Sequence, residues 1–243
     1  MTEHMGGTGQ PAPGEDATAA SEQDHRLRPT VVHLMRHGEV HNPGGVLYGR
    51  LPEFHLSDIG IKMAERGAEW FADRDLVHLR CSPLERAQQT MAPIAERFPD
   101  LTVVTDGRVI EAANHFEGKV FSANATTLAD PRSWWHLRNP MRPSWGEPYR
   151  EIVTRMRAAI ADAADAARGH EALIVSHQLP IWMARMDAVG RSLIHDPRRR
   201  ECTLASVTSF TVLDGRVTSV AYTEPAGDLL PPKRRSRRFV AGA

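Results

Sequence analysis

Residues 30–39 read Thr-Val-Val-His-Leu-Met-Arg-His-Gly-Glu. The β-branched and apolar residues up to Met35 predict a buried strand, and Arg36, His37 and Gly38 follow where that strand ends. Arginine offers a planar charged fork for phosphate oxygens, histidine can act as a nucleophile, and glycine lets backbone N–H groups approach an anion. The stretch therefore predicts a phosphate site at a strand end. A buried structural histidine is the competing interpretation, because the chain has twelve histidines.

The rest of the chain alternates between strand-like and helix-like patterns. Further strands are predicted at 76–81, 101–105, 172–176, 204–213 and 216–222, and helices at 57–71, 83–98, 152–163 and 179–189. The last two strands flank Asp214-Gly215, a strong hairpin turn. This alternation predicts an α/β three-layer sandwich with a mostly parallel central sheet, helices on both faces and a small cap insertion. In such sheets ligands bind beyond the carboxyl ends of the strands.

Two more strand ends carry a histidine or a cation. His177 directly follows the strand at 172–176, and Ser82 begins a segment after 76–81 that places Arg86 in the first turn of a helix. A helix N-terminus favours an anion, because its free N–H groups and its dipole point there. Three such strand ends favour a shared anion site over three separate packing roles.

Four segments resemble motifs of the histidine phosphatase superfamily, the phosphoglycerate-mutase-like proteins. They are Leu34–Glu39, Leu56–Gly60, Ser82–Thr90 and Val175–His177, and they occur in the family's order within residues 30–223. An Arg-His-Gly tripeptide alone is a weak signal, whereas four motifs in order are a strong one.

The resemblance implies a cofactor-independent phosphoryl-transfer site. His37 is the implied nucleophile, which becomes phosphohistidine, and Arg36, Arg86 and His177 are implied to bind the phosphoryl oxygens. Asn42 stands where many members have an asparagine and is assigned to the same phosphate. Because fixed arginines supply positive charge where the transferred group is negative, we expect no metal and no cofactor.

A proton donor is also needed, since an alkoxide leaves poorly. Glu111 resembles the family's acidic residue after the third strand, and a bound phosphate beside it is expected to favour its protonated form. Glu117 is the rival, because Phe116-Glu117-Gly118 resembles the family's aromatic-Glu-Gly element. Glu111 is favoured because it follows the strand more closely.

The departures from the family pattern fall on the leaving-group side. Many members have glycine after the second histidine, where this chain has Gln178, whose side chain can reach the rim of the pocket. Tyr48 and Arg50 are further candidates for lining that pocket, with ordinary loop or core positions as the alternative. The phosphoryl-binding residues are unaffected by these departures.

These residues favour a phosphoric monoester hydrolase that acts on small phosphate esters. The alternative is a phosphoglycerate-type mutase, which typically has a Trp-Asn pair in the first motif and Glu-Arg-His-Tyr-Gly in the acid motif. The matching stretches here are Glu-Val-His-Asn at 39–42 and Glu-Ala-Ala-Asn at 111–114, which favour the phosphatase. A catalytically weak binding or regulatory member is the third possibility, and it would be favoured if His37, Arg86 or His177 were missing.

Composition limits the remaining possibilities. The 243 residues are 41% hydrophobic and 25% charged with zero net charge, and no apolar run is long enough to span a bilayer. We expect a disordered leader at 1–29, one domain at 30–228 with a cap insertion at about 111–146, and a basic tail at 229–243. The tail carries five basic residues, but a body without excess positive charge does not favour a nucleic-acid partner. Two cysteines make no disulfide framework, so a cytoplasmic location is expected.

Overall fold

The computed structural model describes residues 28–119 and 146–230. The expected leader up to residue 27, most of the expected cap insertion (120–145) and the basic tail from 231 lie outside the described residues. Within the described part, no helix is long and apolar enough to cross a membrane.

A six-stranded sheet forms the centre of the described structure. Its strands are β1 (Thr30–Arg36), β2 (Leu76–Cys81), β3 (Val103–Thr105), β4 (Glu171–Ser176), β5 (Val207–Leu213) and β6 (Arg216–Thr223), in the spatial order β3-β2-β4-β1-β5-β6. The pairings among β1, β2, β3 and β4 are parallel, whereas β5 pairs antiparallel with both β1 and β6. The sheet is therefore mixed, with a parallel part of four strands and the predicted hairpin at one edge.

Helices cover both faces of the sheet. The four α-helices are α1 (Asp58–Phe71), α2 (Glu85–Ala95), α3 (Tyr149–Ala166) and α4 (Gln178–Ala188). One apolar cluster joins α3 and α4 to the sheet, and a second joins α1 and α2 to the opposite face. In β4, Ile174 belongs to the first cluster and Leu173 and Val175 to the second. A strand covered on both faces needs a continuous apolar run, which explains the pattern at 172–175. The α/β sandwich is confirmed.

Two strands begin later than predicted, because backbone N–H groups near their predicted starts donate hydrogen bonds within turns. The strand expected from residue 101 begins at Val103, since the Leu101 N–H donates to Phe98 O (2.9 Å) in a turn. The strand expected from residue 204 begins at Val207, because the Ser206 N–H donates to Thr203 O (3.2 Å).

The domain boundary expected at residue 228 lies within a packed turn. A 3-10 turn covers Gly227–Leu229, and Leu229 and Leu230 pack against the apolar cluster beneath α1 and α2.

Candidate active site

Three parallel strands end side by side and bring their following residues together. The register pairs Arg36 of β1 with Ser176 of β4, and the His37 N–H donates to Ser176 O (3.1 Å). On the other side of β4, the Ser82 N–H donates to Val175 O (3.0 Å). The residues after β1, β2 and β4 therefore meet at one edge of the sheet, as the sequence predicted.

The loop after β1 is held tightly by α1 and α2. The Gly38 N–H donates to Thr90 Oγ1 (3.0 Å) on α2, and a Cβ at Gly38 would lie 2.5 Å from Gly60 O at the start of α1. Glu39 accepts a hydrogen bond from Ser57 Oγ (2.9 Å), and Ser57 in turn caps α1 by accepting from Gly60 N (3.0 Å). Glycine at position 38 is therefore required by this close backbone approach.

The His37 ring is buried and held in one tautomer. Its Nδ1 lies 2.8 Å from Gly38 O, and a carbonyl can only accept, so the proton is on Nδ1 and Nε2 carries a free lone pair. Burial first, and then the charges of Arg86 and Arg36, lower the pKa of His37 well below its usual value. The imidazole is therefore neutral, and Nε2 forms no hydrogen bond within the described residues.

Two buried arginines lie beside His37 and have no carboxylate partner in residues 28–119 and 146–230. Arg36 is 2% exposed and Arg86 is fully buried. Each is anchored through one guanidinium nitrogen, since Arg36 Nη1 donates to Cys202 O (2.7 Å) and Arg86 Nη2 to Gly49 O (2.6 Å). Their other guanidinium nitrogens are buried and have no hydrogen-bond partner among the described residues. Buried donors of this kind cost free energy unless a ligand satisfies them.

His177 completes the group. Its ring centroid lies 5.1 Å from that of His37, and its Nε2 lies 2.7 Å from Ser82 Oγ. The Ser82 hydroxyl can donate to Nε2 while Oγ accepts from Leu84 N (3.4 Å), an arrangement that leaves the proton on Nδ1. That Nδ1 is buried and has no partner within the described residues. Burial, followed by the charge of Arg86, lowers the pKa of His177, so it is a neutral donor.

Glu111 is held in place by a pair of arginines that share one counter-ion. Arg50 Nε donates to Glu111 O (2.7 Å), and Arg155 Nη1 donates to Ile110 O (2.8 Å). Both arginines form ion pairs with Glu147, at 2.8 Å and 2.7 Å. The Glu111 carboxylate accepts a hydrogen bond from Ala112 N (2.8 Å). Its negative charge favours the charged form of Arg86. The rival Glu117 instead accepts from Asn114 N (3.1 Å) within its own turn.

Each of the other predicted site residues makes defined contacts in the structure. Both ends of the Asn42 amide bond the backbone of Val46, at 2.8 Å and 3.0 Å, and so close their own loop. Tyr48 is buried, and its ring lies 4.8 Å from Arg86 Cζ, where it supports that guanidinium. Arg50 holds the Glu111 backbone, as described above. Gln178 accepts from Arg200 Nη1 (3.2 Å) and donates to Cys202 O (3.3 Å).

Sequence reasoning missed the roles of Arg155 and Arg200. Arg155 lies on the inner side of α3, and the sequence pattern around it indicates only a helix. Arg200 ends the run Arg198-Arg199-Arg200, whose other two members are exposed, so nothing in the local pattern distinguishes it. Ser82 and Thr90 belong to the third motif segment, but only the structure identifies their hydrogen-bond partners.

The described residues do not assemble a metal site. Across 28–119 and 146–230, no group of three or more His, Cys, Asp or Glu side chains is placed to hold a metal ion. The positive charge at the site comes from Arg36 and Arg86.

Comparisons with known proteins agree with this geometry. The sequence model of the histidine phosphatase superfamily (branch 1) matches residues 32–225. An uncharacterized protein of Mycobacterium tuberculosis is 54% identical over 197 residues, which cover 81% of this chain and 97% of that protein. A probable phosphoglycerate mutase of Yersinia pestis is 29% identical over 185 residues, which cover 72% of this chain and 83% of that protein.

A similar fold is found among solved structures. The mycobacterial glucosyl-3-phosphoglycerate phosphatase has a TM-score of 0.64 and 21% identity to this chain. The alignment covers 81% of this chain and 97% of that one. At this level of identity the likeness concerns the fold alone.

Proposed function

The chain belongs to the histidine phosphatase superfamily, and from that premise we propose that it is a metal-independent phosphomonoesterase that forms a phosphohistidine on His37. One observation carries the proposal. A neutral histidine with a free Nε2 lies beside buried arginine and histidine nitrogens that have no partner within the described residues. A phosphoryl group supplies the negative charge and the acceptor oxygens that these donors lack.

The first step transfers the phosphoryl group to the protein. The Nε2 lone pair of His37 attacks phosphorus, the N–P bond forms and the ester P–O bond breaks. The Arg36 and Arg86 guanidinium groups and the Nδ1–H of His177 hold the phosphoryl oxygens, where negative charge is concentrated in the transition state. The departing alcohol oxygen takes a proton from Glu111, so a neutral alcohol leaves.

The second step regenerates the enzyme. Glu111, now a carboxylate, accepts a proton from a water molecule as that water attacks phosphorus. The N–P bond breaks, its electron pair returns to Nε2, and inorganic phosphate is released. Neutral His37 is restored with its proton on Nδ1, bound to Gly38 O.

The choice of Glu111 over Glu117 as the acid follows from placement. The charge of Glu111 acts on Arg86, Arg200 and Cys202, three residues of the site. The Glu117 side chain lies against Gly49, whose carbonyl anchors Arg86. The electrostatic interaction with Arg86 therefore favours Glu111 as the group that protonates the leaving oxygen.

A phosphoglycerate-type mutase is the second candidate, because the Yersinia relative is described as a probable phosphoglycerate mutase. A mutase would return the phosphoryl group to a second substrate oxygen instead of to water. The same protein core serves both reactions, so the products decide between them.

A product assay tests the proposal. Purified protein is incubated with p-nitrophenyl phosphate, sugar phosphates, phosphoglycerates, nucleotides and phosphoamino acids, and inorganic phosphate is measured. We expect stoichiometric phosphate release from at least one ester. Interconversion of 2- and 3-phosphoglycerate without phosphate release would favour the mutase, and no turnover of any ester would contradict both.

A further inference from the structure

Arg200 shares an unusual property with the two arginines of the phosphoryl site. Among the arginines that are not exposed in residues 28–119 and 146–230, Arg36, Arg86 and Arg200 form no ion pair with a carboxylate. Arg200 is partly buried at the end of the 3-10 turn Pro197–Arg199, before β5. Burying a cation without a counter-ion costs free energy. An anion that binds with the substrate offsets this cost.

Neutral acceptors hold the Arg200 guanidinium in place. Its Nε donates to His195 Nε2 (2.8 Å) and its Nη1 to Gln178 Oε1 (3.2 Å). His195 Nδ1 lies 2.8 Å from Leu193 O, which places the proton on Nδ1 and leaves Nε2 as an acceptor. The His195 ring lies between Tyr149 and Trp182, with both ring centroids at 5.8 Å. These two neutral acceptors fix the position of the guanidinium and do not neutralise its positive charge.

A short hydrogen-bonded path joins Arg200 to the phosphoryl site. Cys202 O accepts from Arg36 Nη1 (2.7 Å) and from Gln178 Nε2 (3.3 Å), and the same Gln178 side chain accepts from Arg200. Gln178 also directly follows His177 in the chain. Arg200 is therefore linked to Arg36 of the phosphoryl-binding group through one side chain, Gln178, and one carbonyl, Cys202 O.

The third guanidinium nitrogen is available to a ligand. Arg200 Nη2 forms no hydrogen bond within the described residues. It does not belong to the side-chain nitrogens there that are both fully buried and without a hydrogen-bond partner. This nitrogen is therefore not completely buried, unlike the unpartnered donors of Arg36 and Arg86. Such a nitrogen on a fixed cation can bind an anionic group that arrives with the substrate.

We propose that Arg200 binds a second anionic group of the substrate, a carboxylate or a second phosphate, and so selects doubly anionic phosphate esters. Gln178 and His195 act as positioning residues for this cation. The proposal rests on the proposed phosphatase function and adds a substrate class to it. The shared chemistry is an oxyanion a few bonds from the transferred phosphoryl group.

The test uses three esters with the same three-carbon skeleton. Glycerol 3-phosphate has no second charge, 3-phosphoglycerate has a carboxylate, and propane-1,3-diol bisphosphate has a second phosphate. We expect wild-type kcat/KM to be higher for one or both doubly anionic esters, and the preferred one identifies the group that Arg200 binds. If wild-type protein turns over none of these and no other ester, the proposed function itself fails.

The decisive variant is Arg200→Gln, with Arg198→Gln as its matched control. Arg198 is exposed and forms an ion pair with Asp196 (2.8 Å), so the control removes an arginine two residues away. Losing a charge-assisted hydrogen bond predicts that kcat/KM for the preferred doubly anionic ester falls about 10- to 100-fold more than for glycerol 3-phosphate. The excess loss is expected in KM, and the control is expected to keep the wild-type ratio.

Equal losses on all three esters, or no loss on any, would overturn the proposal and leave the phosphatase function standing. If Arg200→Gln does not fold, as judged by thermal melting, inhibition of wild-type protein decides. We then expect 3-phosphonopropionate to inhibit at least about tenfold more strongly than propylphosphonate, since only the former carries a carboxylate. Equal inhibition would overturn the assignment of Arg200.

Discussion

Two groups of arginines lie at the same edge of the sheet and differ in what neutralises their charge. Arg80 on β2 is 7% exposed and forms a short ion pair with Asp106, which also pairs with Arg108 (2.7 Å). Arg36 and Arg86 are more deeply buried and have no carboxylate partner within the described residues. The paired arginines hold β2, the end of β3 and the following 3-10 turn together. The unpaired ones leave a concentration of positive charge that no carboxylate of the described part of the chain neutralises.

The largest effect is expected from removing an unpaired arginine. Arg86→Met should lower kcat/KM on p-nitrophenyl phosphate by at least about 10³-fold, because a fixed cation at the transferred phosphoryl group is lost. It should alter the thermal midpoint less than Arg80→Met, which leaves Asp106 buried beside a vacated position. Phosphate-release kinetics and thermal melting of both variants check this. A larger loss of stability for Arg86→Met would remove the distinction between the two groups.

A second variant sharpens the comparison on the acid side. Like Arg36 and Arg86, Glu111 forms no ion pair within the described residues. Glu111→Gln should slow esters with poor leaving groups by about 10²-fold or more, and p-nitrophenyl phosphate much less, because p-nitrophenolate leaves without protonation. Glu117→Gln is the matched control and should affect both ester types alike. Equal losses for Glu111→Gln on both ester types would transfer the role to Glu117 or to water.

The paired group should govern stability and its dependence on pH. Burial opposes ionisation of Asp106, but hydrogen bonds from Arg108 and Arg80 outweigh it and lower its pKa from 3.8 to about 2. A lowered pKa in the folded state contributes stability above the ordinary value, and that contribution is lost as the pH falls from 3.8 towards 2. A shift of this size is equivalent to about 2 kcal/mol. Asp106→Asn should therefore be less stable at pH 7 and lose less further stability between pH 4 and pH 2.

Urea denaturation of wild type and Asp106→Asn at several pH values measures this difference. The free energies of unfolding of the two proteins should converge as the solution becomes acidic. If they stay parallel down to pH 2, Asp106 does not carry the acid-sensitive stability, and the ion pairs with Arg80 and Arg108 are weaker than their geometry indicates.

The smallest effect is expected from chelation. If Arg36 and Arg86 supply the positive charge, then dialysis against EDTA should leave kcat/KM within about a factor of two, well below a tenfold effect. The control is the same protein dialysed without chelator. Activity that disappears with EDTA and returns only with Mg²⁺ or Zn²⁺ would show that the unpaired arginines are insufficient.

Much of the fold could be predicted because the deciding patterns are local. The run at 172–175 is apolar throughout, which indicates a strand covered on both faces, and Asp214-Gly215 marks the edge hairpin. Strand ends were predicted less well, since they depend on which turn claims a backbone N–H. Leu101 and Ser206 show this, because each donates within a turn instead of extending a strand.

In the candidate site too, local sequence patterns predicted some residues, whereas the contacts of others depend on three-dimensional packing. Arg36, His37, Arg86 and His177 could be predicted to meet, because they lie at the ends of parallel strands or, for Arg86, in the first turn of the helix that follows one. Motif position alone did not predict that the Asn42 amide bonds the Val46 backbone, because that contact depends on how the loop folds. The role proposed for Arg200 could not be predicted, because it depends on the lack of a carboxylate partner among the described residues, which is a property of three-dimensional packing.

The most direct test of the central claim is to trap and locate the phosphoryl group. Wild-type protein is mixed with a ³²P-labelled ester, quenched in alkali, digested and analysed by mass spectrometry, with His37→Ala as the control. Because Nδ1 of His37 is bonded to Gly38 O, the account predicts an acid-labile, alkali-stable label on Nε2 of His37 and none in the variant. Label that persists in His37→Ala, or a wild-type label on another residue, would contradict the account.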